Sequence, residues 1–183
     1  MKNADKILVL GGCRSGKSSH ALELAEGMGG RQRVFVATCI PHDDEMQARV
    51  DRHRHERSPT WHTLEVPVDL ADAIATHSPS ADVILIDCLT LWLSNLLMQT
   101  QDVNRIRRYI GGLAEAVKSA PHAIILVSNE VGAGIVPDNR LARHYRDLAG
   151  WANQSMAAAC NRVVWTVAGI PVTIKPPFQS TAP

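Results

Sequence analysis

The stretch GGCRSGKS, residues 11–18, follows the apolar run KILVL and matches the pattern G-x-x-x-x-G-K-S. Glycines in this pattern let the backbone curl, so that successive N–H groups point at one phosphate at the positive end of the next helix. Lys17 would then reach the β- and γ-phosphates of a nucleotide, and the Ser18 hydroxyl would hold Mg²⁺. The alternative is a glycine turn that precedes Lys-Ser by chance. The strand-like run before the stretch and the helix-like SSHALELAE after it favour phosphate binding.

A phosphate loop of this kind needs a second acidic group near the metal. The apolar run VILI, residues 83–86, is followed by Asp87, which would lie at the carboxyl end of a strand. Ligands of parallel sheets bind at that edge, so Asp87 is the predicted second metal ligand. The alternative is that Asp87 only caps the segment that follows it.

Two histidines, His53 and His55, lie in the entirely polar stretch DRHRHER. If Asp43–Arg57 is a helix, the spacing of four and three places Met46, Val50 and His53 on one face, directed towards the sheet. His55 lies about 200° further round the helix and is expected to be solvated. Histidines two residues apart on a helix point away from each other, which argues against a metal site. His53 is therefore either a packed core imidazole or a reactive one.

Composition excludes several classes of protein. The 183 residues contain 19 basic and 18 acidic side chains, a net charge of +1, so neither a nucleic-acid surface nor a membrane surface is expected. No apolar run approaches the roughly 18 residues of a membrane span, and the N-terminus lacks the apolar segment of a signal peptide. The four cysteines are scattered without a C-x-x-C pair, which is typical of reduced thiols in a cytoplasmic protein.

Short apolar runs alternate with longer helix-like segments, which predicts a three-layer α/β domain with a mostly parallel sheet. The predicted helices are Ser18–Glu26, Asp43–Arg57, Asp102–Ser119 and Arg140–Cys160. The predicted strands are Lys6–Leu10, Arg33–Ala37, Val83–Ile86, Ala123–Val127 and Val163–Ala168, with Val172–Lys175 as an antiparallel edge strand after a turn at Gly169–Pro171. We expect one P-loop NTPase-like (RecA-like) domain over residues 1–175 and a loose tail over 176–183.

Two other classes of protein also contain a phosphate loop of this kind. A regulatory GTPase needs N-K-x-D for guanine, but the corresponding strand is followed by SNEVG, residues 128–132. The DLAG at residues 147–150 fits D-x-x-G, but it lies within a predicted helix and late in the chain. A small-molecule kinase is not excluded by these residues.

Several stretches taken together resemble one family, the bifunctional adenosylcobinamide kinase/adenosylcobinamide-phosphate guanylyltransferases of cobalamin biosynthesis. The similarity extends from about Lys6 to Lys175. Its most specific part is NEVGAGIVP, because a P-loop alone is generic. The stretches are GGCRSGKSSHA, ATC, DDEMQAR, His53, WHTLE, NEVGAGIVP and RHYRDLAGWANQ.

The resemblance implies an enzyme with two reactions. It would phosphorylate adenosylcobinamide with ATP or GTP, and then transfer GMP from GTP to that phosphate through a guanylyl-histidine at His53. The resemblance also implies a homo-oligomer, typically a trimer. The residues implied to bind nucleotide are Gly11, Gly12, Cys13, Arg14, Ser15, Gly16, Lys17, Ser18, Ala37, Thr38, Cys39, Arg54, His55, Glu56, Arg57, Glu65 and Asp87.

The segment after His53 departs from the family pattern. Similar sequences have R-P four and five residues after this histidine, whereas here Ser58 separates Arg57 from Pro59. Nearby arginines would stabilise charge on the phosphates and lower the imidazole pKa, keeping the ring neutral and nucleophilic. The alternatives to the bifunctional enzyme are a monofunctional P-loop small-molecule kinase and a slow regulatory or binding ATPase.

Overall fold

The structure is a computed structural model that describes residues 4–41, 43–44, 46–48 and 58–175. The strands of its sheet are β1 (Lys6–Gly11), β2 (Arg33–Ala37), β3 (Trp61–Glu65), β4 (Val83–Asp87), β5 (Ala123–Asn129), β6 (Arg162–Val167) and β7 (Ile170–Lys175). The helices used below are α1 (Lys17–Gly27), α2 (Leu70–His77), α3 (Leu89–Gln99), α4 (Val103–Ser119) and α5 (Arg140–Ala159).

The sheet has the strand order β3-β2-β4-β5-β1-β6-β7. Its neighbouring strands are parallel, except for the antiparallel pair β6–β7 at one edge. The prediction of a mostly parallel sheet with an antiparallel edge strand is therefore confirmed. The central strands are apolar on both faces, because helices cover both sides of a parallel sheet.

The two faces of the sheet pack against different helices. On one face, Ala21 and Ala25 of α1 pack against the strand side chains Ile7, Val9 and Leu85. On the other face, the apolar sides of α2, α3, α4 and α5 pack against the alternate strand residues. Strand side chains alternate between the two faces, so every second residue of a strand meets the same helices. Asp87 follows Leu85 by two residues and Val83 by four, and it therefore lies on the face that packs against α1.

Three elements were not predicted, and one turn was misplaced. β3, α2 and α3 have no counterpart among the predicted elements. The turn between β6 and β7 lies at Ala168–Gly169, where both residues have positive φ values of 51° and 81°. A two-residue turn with both φ positive matches the twist of a hairpin. The sequence predicts Pro171 in the turn, but Pro171 lies within β7, where an edge strand tolerates a residue without an N–H.

Part of the predicted helix Asp43–Arg57 can be compared with the structure. Residue 44 and residues 46–48 are helical, and the Asp43 carboxylate accepts a hydrogen bond of 2.7 Å from the Met46 N–H. Asp43 therefore caps the start of this segment, as an N-cap aspartate does. The remainder, which includes Val50, His53 and His55, lies outside the described residues. Within the described ranges, no helix has both the length and the apolar composition of a bilayer span.

Candidate nucleotide-binding site

The predicted phosphate loop connects the end of β1 to the start of α1. Gly16 has φ +90°, a conformation that favours glycine, and a Cβ there would lie 3.2 Å from the Gly169 Cα. A Cβ on Gly11 would lie 2.4 Å from the Ser15 Oγ and 2.6 Å from the Thr166 carbonyl oxygen. Gly12, by contrast, faces open space. Two of the three glycines are therefore required by the path of the loop itself.

The turn between β6 and β7 supports this loop from the side. The Gly169 N–H donates to the Ser15 carbonyl at 2.9 Å, which joins the turn to the middle of the loop. Ser15 and Thr166 are buried beside this contact, and their hydroxyl oxygens have no hydrogen-bond partner within the described part of the chain. The loop is thus held by backbone contacts. Cys13 and Arg14 at its tip are exposed.

Lys17 lies between the phosphate loop and the end of β4. Its Nζ donates to the Gly12 carbonyl at 3.2 Å. Burial, and to a smaller extent the Asp87 carboxylate, raise the pKa of the Cys88 thiol to about 11, and the Lys17 ammonium is among the groups that oppose the rise. Burial also raises the pKa of Cys39, and Asp87 adds to that effect. Because both groups affect the pKa of the Cys88 thiol, the Lys17 ammonium and the Asp87 carboxylate lie near that residue.

Two carboxylates face the same side of the sheet as α1. Ala37 pairs with Glu65 on one side and with Asp87 on the other, so the three residues form one row across β3, β2 and β4. Residues paired in parallel strands share a face, and a strand spacing of about 4.8 Å separates Glu65 from Asp87 by roughly 10 Å at the backbone. Both predicted acidic site residues are therefore directed to the face where α1 and the phosphate loop lie.

Thr38 holds the backbone after Asp87 in place. Its side chain is fully buried, and its Oγ1 accepts from the Cys88 N–H at 2.9 Å and donates to the Cys88 carbonyl at 2.8 Å. The Thr38 N–H also donates to the Asp87 carbonyl at 3.2 Å. Asn95 of α3 in turn donates to the Thr38 carbonyl at 2.8 Å and to the Pro67 carbonyl at 3.0 Å. The hydroxyl of Thr38 is thus used within the protein, and it positions Asp87.

We expect Thr38→Val to lower the free energy of unfolding by about 1–3 kcal/mol, because it leaves the buried Cys88 N–H without an acceptor. Urea denaturation followed by circular dichroism measures this loss. Thr173→Val on the exposed face of β7 is the matched control, with an expected change within about 0.5 kcal/mol. Equal stabilities of the two variants would contradict the positioning role of Thr38.

Asn129 lies at the edge of the site, and the sequence does not indicate a role for its side chain. It ends β5, pairs with Gly11 of the phosphate loop, and the next residue donates its N–H to the Gly11 carbonyl at 3.2 Å. Its Nδ2 donates to the Thr90 hydroxyl at 3.0 Å, and its carbonyl accepts from Asn153 of α5 at 3.2 Å. These contacts join β5, α3 and α5 at the carboxyl edge. The partners are far apart in the chain, so no local pattern signals them.

The donors near this edge suit magnesium. Mg²⁺ prefers oxygen ligands and is usually held by one or two protein groups together with substrate phosphates and water. Ser18 lies in the first turn of α1, and α1 packs against β4, which ends in Asp87. A hydroxyl and a carboxylate on these adjoining elements fit such an ion. The predicted residues Arg54, His55, Glu56 and Arg57, together with His53, lie outside the described residues.

The strand order, with β5 between the phosphate-loop strand and the strand ending in Asp87, defines a RecA-like P-loop nucleotide-binding protein. More specifically, the chain belongs to the cobinamide kinase / cobinamide phosphate guanyltransferase family, which it matches over residues 7–174. It is 44% identical over 168 residues to the bifunctional adenosylcobalamin biosynthesis protein CobP of Pseudomonas aeruginosa, spanning 92% of this chain and 96% of that one. It is 41% identical over 181 residues to CobU of Escherichia coli, spanning 92% and 99%.

Similar folds occur in solved structures of much lower sequence identity. The flagellar accessory protein FlaH of Methanocaldococcus jannaschii has a TM-score of 0.53 at 13% identity, with 93% of this chain and 77% of that one covered. The Pyrococcus horikoshii OT3 protein PH0250 has a TM-score of 0.58 at 7% identity, with 100% and 91% covered. At these identities the likeness concerns the fold alone.

Proposed function

We propose that this protein catalyses two successive transfers onto adenosylcobinamide, acting first as a kinase and then as a guanylyltransferase. The observation that carries the proposal is the row of Glu65, Ala37 and Asp87 on the α1 face, at the same edge as the phosphate loop. In this arrangement, a phosphate-binding loop lies at the same sheet edge as two carboxylates. The chain also belongs to the family that carries out these transfers. We further propose that the enzyme is a cytoplasmic homo-oligomer, typically a trimer.

In the kinase reaction, the aminopropanol hydroxyl oxygen of adenosylcobinamide attacks the γ-phosphorus of ATP or GTP. The bond from that phosphorus to the β–γ bridging oxygen breaks, the nucleoside diphosphate leaves, and the hydroxyl proton is released to solvent. The loop N–H groups orient the triphosphate, and Lys17 stabilises charge on the β- and γ-phosphates. Ser18 and Asp87 would hold Mg²⁺, which neutralises phosphate charge when bound.

In the guanylyl transfer, a neutral His53 imidazole nitrogen attacks the α-phosphorus of GTP, and pyrophosphate leaves. An oxygen of adenosylcobinamide phosphate then attacks the phosphorus of the phosphoramidate, which frees the imidazole and forms adenosylcobinamide-GDP. Glu65 and the Ala37–Cys39 turn would bind the guanine nucleotide. His53 lies outside the described residues. This part of the proposal is therefore supported by the family and by the row of Glu65, Ala37 and Asp87.

Labelled GTP distinguishes the two reactions. After incubation with Mg²⁺ and denaturation in base, we expect the protein to retain α-³²P label that acid releases, and to retain no γ-³²P label. Acid-labile, base-stable retention is the behaviour of a phosphoramidate. In parallel, γ-³²P should appear in adenosylcobinamide phosphate. Phosphorylation of adenosylcobinamide without retained α-label would favour a monofunctional kinase, and the absence of both transfers would favour a binding ATPase.

A further inference from the structure

A basic cleft lies outside the site described above. It has a volume of about 450 Å³ and is lined by Val136, Arg140, Arg143, His144, Arg146 and Asp147. It lies between the loop that follows β5 and the first turns of α5. Because β5 pairs with β1, and Glu130 donates its N–H to the Gly11 carbonyl at 3.2 Å, this loop leaves the sheet directly next to the phosphate loop.

Two of the arginines give this cleft a fixed wall. Arg143 Nη1 donates to the carbonyls of Pro137 at 2.9 Å and Asp138 at 2.5 Å, and Arg146 Nη2 donates to the Gly132 carbonyl. Carbonyl acceptors orient a guanidinium but do not neutralise it. Arg146 Nη1 is buried and has no acceptor within the described residues. The wall is therefore ordered and still positively charged, with one buried donor unused.

The other two basic side chains are available to a ligand. Arg140 and His144 are four residues apart on α5 and therefore neighbours on one helix face. Both residues are exposed, and neither side chain forms a hydrogen bond or an ion pair with another described residue. Among the described residues that line the cleft, Asp147 is the only one with a carboxylate. Three guanidinium groups and an imidazole thus face a single negative charge, which favours an anionic ligand.

We infer that this cleft binds the phosphomonoester of the phosphorylated acceptor, an assignment that rests on the proposed function. The nucleotide triphosphate already has the phosphate loop, whereas the kinase product differs from its precursor by a group carrying about 1.5 to 2 negative charges at neutral pH. The apolar rim suits a large acceptor, because Val136 is 63% exposed and the adjacent Ile135 is 96% exposed. The cleft would therefore retain the kinase product for guanylyl transfer.

Equilibrium dialysis measures this preference directly, because both corrinoids are coloured. We expect the wild-type protein to bind adenosylcobinamide phosphate at least about tenfold more tightly than adenosylcobinamide, as two charge-assisted contacts allow. The double variant Arg140→Gln/His144→Gln should reduce that ratio of dissociation constants to below about threefold. The single variant Arg140→Lys should retain most of it, because the charge remains.

Arg108→Gln on the exposed side of α4 removes the same charge at a residue that does not line the cleft, and it should leave the ratio unchanged. A wild-type ratio that survives in the double variant would overturn the assignment. A parallel loss of GTP affinity would overturn it as well, because the cleft would then hold the nucleotide. If the wild-type protein binds neither corrinoid, the proposed function fails together with this site.

Discussion

Replacement of Lys17 by Ala should reduce both the phosphorylation of adenosylcobinamide and the guanylyl transfer by roughly 10²–10³-fold, the range expected when one preorganised charge-stabilising donor is removed. The Lys17 amine is held in the loop by a hydrogen bond of 3.2 Å to the Gly12 carbonyl. Its charge lowers the pKa of Cys88, the residue directly after Asp87. Both transfers should fall because both use a nucleoside triphosphate at this loop.

Initial rates of both reactions, measured with the same enzyme preparation, check this expectation. Lys118→Ala is a suitable control, since Lys118 forms an exposed ion pair with Glu115 at 2.8 Å, and such pairs contribute little. A Lys17→Ala enzyme with either rate within threefold of the wild type would show that the loop does not bind the triphosphate in that reaction. Loss of only one activity would mean that the two triphosphates bind at different places.

The central part of the fold was predictable because its strands carry a clear local signal. Four strands, β1, β2, β4 and β5, are short, rich in β-branched residues and apolar on both faces. Segments long enough to form a helix separate most of them. Such runs are typical of a covered parallel sheet. The phosphate loop was predictable for a similar reason, since the glycine pattern and the flanking elements are contiguous in sequence.

The elements that were missed lack such a signal. α3, with the sequence LTLWLSNLLMQ, follows β4 after a single residue and is largely apolar, so the sequence offers no polar face that marks it as a helix. Periodicity cannot separate a mostly buried helix from a strand in such a stretch. β3 lies at the edge of the sheet, and its sequence WHTLE mixes polar and apolar residues. It is specified mainly by its pairing with β2, which is a tertiary contact.

The supporting contacts of the site were unpredictable for a different reason. Thr38 meets Cys88 across 50 positions of the chain, and Asn95 meets Thr38 across 57. Arg143 and Arg146 bind carbonyls of the preceding loop, although their sequence context is only a polar helix start. Motifs identify residues that contact a ligand through contiguous backbone. They do not identify side chains that hold those residues from another element.

His53→Ala should abolish the retention of GMP on the protein and reduce guanylyl transfer by more than about 10³-fold, as expected when a nucleophile is removed. Kinase activity should fall much less, because γ-phosphoryl transfer to a hydroxyl depends on Lys17, Mg²⁺ and the carboxylate of Asp87. His55→Ala is the matched control, since it removes the same side chain two positions away. It should leave covalent labelling nearly intact.

The contrast between the two histidines rests on the helix predicted for Asp43–Arg57. Its start is supported by the cap at Asp43, whose carboxylate accepts from the Met46 N–H at 2.7 Å. If the helix continues, His53 follows Met46 by seven residues and lies on the same face, while His55 lies about 200° away from His53. Peptide mapping of protein labelled with α-³²P GTP locates the modified residue. Label on His55 would contradict this helical register, because the serine inserted before Pro59 would then have altered the segment that carries the nucleophile.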